Sequence, residues 1–210
     1  MSTIKTNQIA HTANGASVFT LPTSDGSSGQ VLKTDASGGL SFTTGGKTLQ
    51  VVQDTMTGTG SFGINNTIYV PNDPSATLTP SSSSNKILVD VYLNTTLNNN
   101  DTFSQIILYR EIGGSGGFSA VTGAIGDAAG SRRRVTGGFR TTGANGFGTY
   151  QVNIKYLDSP NTTSSVQYKV AHCHGTQGYI EHFINRTAND TNSYEFGRMY
   201  SSMILSEIAG

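Results

Sequence analysis

The feature that most constrains this chain is its period. Apolar residues recur at every second position, and no window of a dozen residues keeps them at i, i+3, i+4 and i+7 without a glycine or turn cluster intervening. Ile87, Val89, Val91 and Leu93 line one face of KILVDVYL. Val152, Ile154 and Tyr156 line one face of YQVNIKY, Val166, Tyr168 and Val170 one face of SVQYKV, and Ile106 and Leu108 one face of SQIILYRE. Alternation of this kind places side chains on one side of an extended backbone. Further strands are predicted at 49–56, 67–70, 135–141, 179–185 and 199–208. Many short strands separated by turn residues predict an all-β protein, a sandwich or barrel. Pro71, Pro74 and Pro80 fall in one polar stretch, where they are expected to stop ladders. The last alternating run ends two residues before the end of the sequence. A chain finishing on a core strand is expected to lose its fold when that strand is removed.

Composition narrows the function classes. The 210 residues include 26 glycines and no tryptophan, and only 12% are charged. Low hydrophobicity usually signals disorder when it comes with high net charge. Here 13 basic residues balance 13 acidic ones, and the supply of Val, Ile, Tyr and Phe suits half-buried strands. A neutral chain has no global field to draw it to nucleic acid or to an anionic membrane, so neither is expected as a partner. No apolar run reaches the ~18 residues of a spanning helix, and Met1 is followed by no apolar signal core. The single Cys173 excludes an intrachain disulfide framework and suits folding in a reducing cytosol. Six Asn-x-Ser/Thr sequons, at Asn65, Asn94, Asn100, Asn161, Asn185 and Asn189, read as by-products of Asn and Thr richness.

Two regions are expected. Residues 1–46 are poor in apolar groups and hold short β-like pieces at 3–9, 18–21, 30–34 and 40–42, separated by the turn formers PTSDGSSG and DASGG. Such hairpins are marginal alone in water, and become stable when identical chains cover one another's apolar faces. Gly45-Gly46 marks the boundary with a larger block at 47–210. In that block Leu88 and Tyr92 oppose Ile87, Val89, Val91 and Leu93 on the same strand. Bulk on both faces calls for a second cover, either another sheet or another subunit.

The segments TIKTNQI and LPTSDGSSGQVLKTDASGGLSF (residues 21–42) resemble the N-terminal module of tail-fibre-like proteins of marine phages, a β-rich stalk or attachment piece. KILVDVYL, IILYRE, YLDSPNTTSSVQYKV, FINR and SSMILSEI resemble the trimeric jelly roll of the tumour-necrosis-factor and complement globular-head type, which phages use at fibre tips. The resemblance implies an all-β virion structural protein made in the host cytoplasm. Its C-terminal jelly-roll β-sandwich would form a homotrimeric head, and its N-terminal segment would join other virion proteins. It carries no catalytic residues over to this chain.

His172-Cys173-His174, with Glu181 and His182 shortly after, is the sharpest cluster. On a strand His172 and His174 share the face of Val166, Tyr168 and Val170, while Cys173 lies opposite in a structural role. One reading is a metal on a three-fold axis, as some similar phage fibre proteins bind with a His-x-His step. Each of three chains would give two imidazoles, and six nitrogens suit an octahedral first-row metal better than tetrahedral zinc. The other reading is a strand running from core to rim with its histidines satisfied locally. No other cofactor is expected. Arg132, Arg133 and Arg134, with Arg140 nearby, form the only dense charge run. They read either as guanidiniums for phosphate or carboxylate groups of a surface glycan or as a solvated or salt-bridged loop. Phe118 and Phe147 sit by the glycine-dense loops GGSGG and GANGFG, where exposed rings could stack on sugars.

Gly58-Thr59-Gly60-Ser61-Phe62-Gly63 spells a dinucleotide fingerprint but lacks the helix that would receive pyrophosphate, and is expected to be a flexible β connection. No G-x-S-x-G, H-E-x-x-H or C-x-x-C motif occurs. A non-enzymatic protein is therefore expected. The leading reading is a trimeric tail fibre that contacts a host envelope glycan or protein. The alternative is a head-decoration or fibre-adaptor protein with a purely architectural role, and a third reading is an envelope-glycan hydrolase with carboxylates assembled across chains.

Overall fold

Backbone groups of an extended segment are satisfied only by neighbouring strands, and nearly every alternating run of this sequence finds such neighbours. The computed structural model describes residues 8–10, 18–27, 29–45, 47–72, 74–142, 148–176 and 178–210. The chain divides into two units, Met1–Lys47 and Thr48–Gly210.

In the first unit β1 (Gln8–Ala10) pairs antiparallel with β2 (Val18–Thr20), and β3 (Gln30–Thr34) with β4 (Leu40–Thr44). The turn between β3 and β4 is built by Asp35, whose Oδ1 accepts from the amides of Ser37 and Gly39 at 2.8 Å each. Gly38, with φ +92°, takes the left-handed position there. The Thr20 amide donates to the Gly38 carbonyl at 2.8 Å and joins the two hairpins. Residues 19–27, 29–43, 45 and 47 of this unit are all at least partly exposed, with Val31 and Leu32 about half exposed.

The second unit contains β5 (Thr48–Met56), β6 (Gly60–Asn65), β7 (Ser75–Leu78), β8 (Lys86–Leu97), β9 (Phe103–Ile112), β10 (Ser119–Ala120), β11 (Gly137–Arg140), β12 (Tyr150–Asp158), β13 (Val166–His174), β14 (Tyr179–Ile184) and β15 (Ser201–Ile208). A single 3-10 turn at Thr122–Ala124 is the only helical element among the described residues, and no helix is long and apolar enough to cross a membrane. In the six-stranded sheet β12 lies along one side of β8, and β15 and β14 lie end to end along the other. Beyond them β5 pairs β15 and β6 pairs β14. The five-stranded sheet runs β7–β13–β9, with β10 and β11 both on the far side of β9. Every pairing between named strands is antiparallel, and the chain crosses between the two sheets repeatedly, as in a jelly-roll sandwich.

The alternating faces meet in the interior. Ile87, Val89, Val91, Leu93, Met203 and Leu205 of one sheet pack against Ile106, Leu108, Val166, Tyr168 and Val170 of the other, all buried. Each such side chain stabilises the fold by about 1.5–3 kcal/mol relative to exposure. The outer faces differ. Ile107, Ala171 and Cys173, outside the five-stranded sheet, are packed over by Val70, Ile125 and Val135, two of which come from the segment between β10 and β11. The outer row of the six-stranded sheet runs Leu157–Leu88–Ser206–Val51 in register. Its ends stay open to solvent, Val51 59% and Leu157 45% exposed.

Three expectations are corrected. Residues 60–65 of the glycine-rich stretch form β6 rather than a flexible connection. Between Pro74 and Pro80 the chain still forms β7, on the margin of its sheet where flanking prolines are tolerated. Within 67–70 only Tyr69 pairs, in a bridge to His172.

Candidate functional site

Alternation along β13 sends His172 and His174 inward beside Val170, and β14 delivers His182 from the facing sheet. The His182 ring centroid lies 5.8 Å from that of His172 and 5.7 Å from that of His174. Phe62 of β6 stacks on His182 at 5.6 Å and meets His172 edge-on at 5.1 Å. All three histidines are fully buried. His174 Nε2 lies 3.1 Å from the Ile64 carbonyl oxygen, while both nitrogens of His172, both of His182 and Nδ1 of His174 have no hydrogen-bond partner among the described residues. Burial holds His172 down to about 3. Burial first, then the neighbouring His172 and His174, hold His182 down to about 2. Both rings are therefore neutral at ordinary pH.

The expected axial metal site needs imidazoles that reach other chains. Here His172 and His174 are enclosed within one chain and face His182. Among the described residues no group of three or more His, Cys, Asp or Glu side chains is arranged to hold a metal ion. Glu181 is half-buried beside the inward His182. Cys173 sits on the outer layer with its Sγ 3.5 Å from Gln105 Oε1. Burial pushes its thiol up, with Arg133 partly offsetting the rise.

The arginines do not assemble into one fork. Arg133 Nη1 donates to Gln105 Oε1 at 3.2 Å, Arg134 Nε donates to the Gly126 carbonyl at 2.6 Å, and Arg140 pairs with Asp101 at 2.9 Å. Arg132 is exposed. Phe118 is half-buried, with the Lys169 ammonium 4.6 Å from its ring centroid, so a cation already covers a face that a sugar would need. Phe147 lies outside the described residues.

Two surfaces were not legible as sites in the sequence. A groove of about 470 Å³ runs between the segment bearing Ile125 and Val135 and the β12 residues Asn153, Lys155 and Tyr156, within the size range of small-molecule sites. The second is the bare outer face of the six-stranded sheet. Tyr92 and Tyr200 stack there at 5.2 Å, and the Lys155–Asp90 ion pair at 3.0 Å crosses the row next to Leu88 and Leu157.

No protein-family model matches the chain, and no curated protein matches it. Among solved structures it is similar to a chain of infectious bursal disease virus Gt strain, with TM-score 0.39 and 12% identity over 81% of this chain and 40% of that one. A chain of the Gx strain of the same virus gives TM-score 0.34 and 10% identity over 81% and 42%. This chain thus spans about two-fifths of the solved chains it matches. Likenesses this slight carry neither fold nor function.

Proposed function

We propose that the chain is a non-enzymatic virion structural protein, a homotrimeric phage tail fibre. Its N-terminal unit joins other virion proteins and its sandwich contacts a glycan or protein of the host envelope. The carrying observation is the unequal cover of the two sheets. The middle of the five-stranded sheet, at Ile107, Ala171 and Cys173, is roofed by its own chain, with Phe103 at its end 41% exposed, while Val51 and Leu157 of the six-stranded sheet and Tyr200 beside it remain exposed. Apolar groups on an unroofed sheet face are a candidate subunit contact, and the poorly buried hairpins of the first unit point the same way. The resemblance of residues 21–42 to fibre attachment modules supports the virion setting.

Three-fold repetition would multiply weak single contacts into useful avidity. The test is an array of host-envelope polysaccharides and outer-membrane proteins probed with the full chain and with Val51→Asp/Leu157→Asp. The reading expects the full chain to bind and the dissociated variant to lose about 100-fold or more in apparent affinity. Equal binding by the two would overturn the avidity account. No binding by either would overturn the host-contact role, and cleavage of a polysaccharide would overturn the non-enzymatic one.

A further inference from the structure

Buried polar atoms in folded proteins nearly always find partners, so a cluster that leaves five ring nitrogens unpaired among the described residues calls for an explanation. The cluster also sits at a weakly tied part of the sandwich. β14 pairs with β6 along its whole length, from Tyr179–Asn65 to Ile184–Gly60, but with β8 only from His182 to Ile184. The β6–β14 pair is thus joined to its own sheet over a short stretch, and Phe62 and His182 close it against His172 of the facing sheet.

We propose that the histidine cluster forms an acid-sensitive latch: while His172 and His182 are neutral the β6–β14 pair stays closed on β13, and a proton gained by either of them parts it from the five-stranded sheet. Among the described residues that face the cluster, none supplies a counter-charge to an imidazolium. From β13 the trio is faced by its own members, and from β6 by the Phe62 ring and the Ile64 carbonyl. Tyr69, whose backbone brackets His172 and whose ring lies 4.7 Å from Phe62, adds a neutral phenol. β9 pairs Ser104 and Ile106 with the two β13 histidines, and β8 pairs Leu97 with His182. This set holds no carboxylate. A charged ring is therefore accommodated only by reaching water, and two charged rings also repel across the sheets. The depressed titration of His172 and His182 agrees with this geometry.

The test is hydrogen–deuterium exchange of the full chain at pH 7.5, 6.0 and 5.0, corrected for intrinsic exchange rates; these values keep carboxylates ionised. Protection in 60–65 and 179–184 should fall about tenfold per histidine for each pH unit below about 6.5. Protection in 87–93 and 106–108 should hold. In His172→Phe/His182→Phe, where aromatic packing against Phe62 is kept, the pH dependence of 60–65 and 179–184 should vanish. Constant wild-type protection across this range would overturn the latch, as would an equal loss in β8 and β9. Stoichiometric metal in the purified protein, with protection lost on chelation at pH 7.5, would overturn it too. The wild-type profile and metal content decide the matter if the variant does not fold.

Discussion

Glu207 shows what single residues contribute to this fold. Its carboxylate is buried on β15 and accepts from Gln50 Nε2 at 2.6 Å, the Ser81 amide at 2.6 Å, Ser81 Oγ at 2.8 Å and Asn85 Nδ2 at 2.6 Å. Burial pushes the carboxyl up, but the bonds from Asn85, Gln50 and Ser81 outweigh it and hold the group below its ordinary 4.5. A depressed carboxylate stabilises the fold above its unfolded value, and that contribution is lost as pH falls below about 4.5. His172 and His182 act earlier, because burial keeps their rings neutral in the fold and stability is lost from about pH 6.5 downward. Acid unfolding should therefore show two phases, with Glu207→Gln altering only the lower one. Glu207→Ala strands several donors and should cost about 3 kcal/mol in urea unfolding. Tyr168 donates to Asp158 Oδ2 at 2.6 Å. Tyr168→Phe leaves Asp158 paired with Arg110 and should cost only about 1–2 kcal/mol by the same measurement. Period two correctly placed His172 and His174 inward and Cys173 outward. It could not show that His182 meets them, because contact across the core depends on how two sheets register, which no local pattern encodes. Asn185 was likewise hidden behind a sequon. At φ +61° it donates to the carbonyls of Met56 and Gly58 at 2.8 Å each and accepts from Ser201 Oγ at 2.6 Å.

At the scale of elements, strands with a clean apolar face were legible and strands without one were not. β8, β9, β12 and β13 each bury a row of side chains. β6 carries glycine at Gly60 and Gly63 and buries only Ile64, and it forms because β14 supplies its ladder. β7 has four residues between prolines, of which Ala76 and Leu78 are buried. β15 ties these pieces together, pairing with both β5 and β8 while Glu207 reaches Ser81 and Asn85. Deleting 201–210 removes Met203 and Leu205 from the core along with this anchor. The truncated chain should yield no cooperative thermal transition by circular dichroism, and a cooperative melt would contradict the placement of β15 in the core.

For the whole molecule, the proposed trimer would need apolar surface left uncovered by one chain. The N-terminal hairpins expose Val31, Leu32 and Phe42, and the six-stranded sheet exposes Val51 and Leu157, with Tyr200 beside it. A row shared by four strands is invisible to a pattern read one strand at a time. Leu88 and Tyr92 hinted at it by placing bulk on the second face of β8. Replacing Val51 and Leu157 by aspartate should weaken association while leaving the far-ultraviolet dichroism of a β protein unchanged, because neither side chain belongs to the core. Sedimentation equilibrium of the full chain at micromolar concentration is the most direct measurement. A mass near three times the 22.1 kDa of one chain is the predicted result. A stable species at 22.1 kDa would mean that the bare sheet needs no second or third copy, and the trimeric fibre reading would fall.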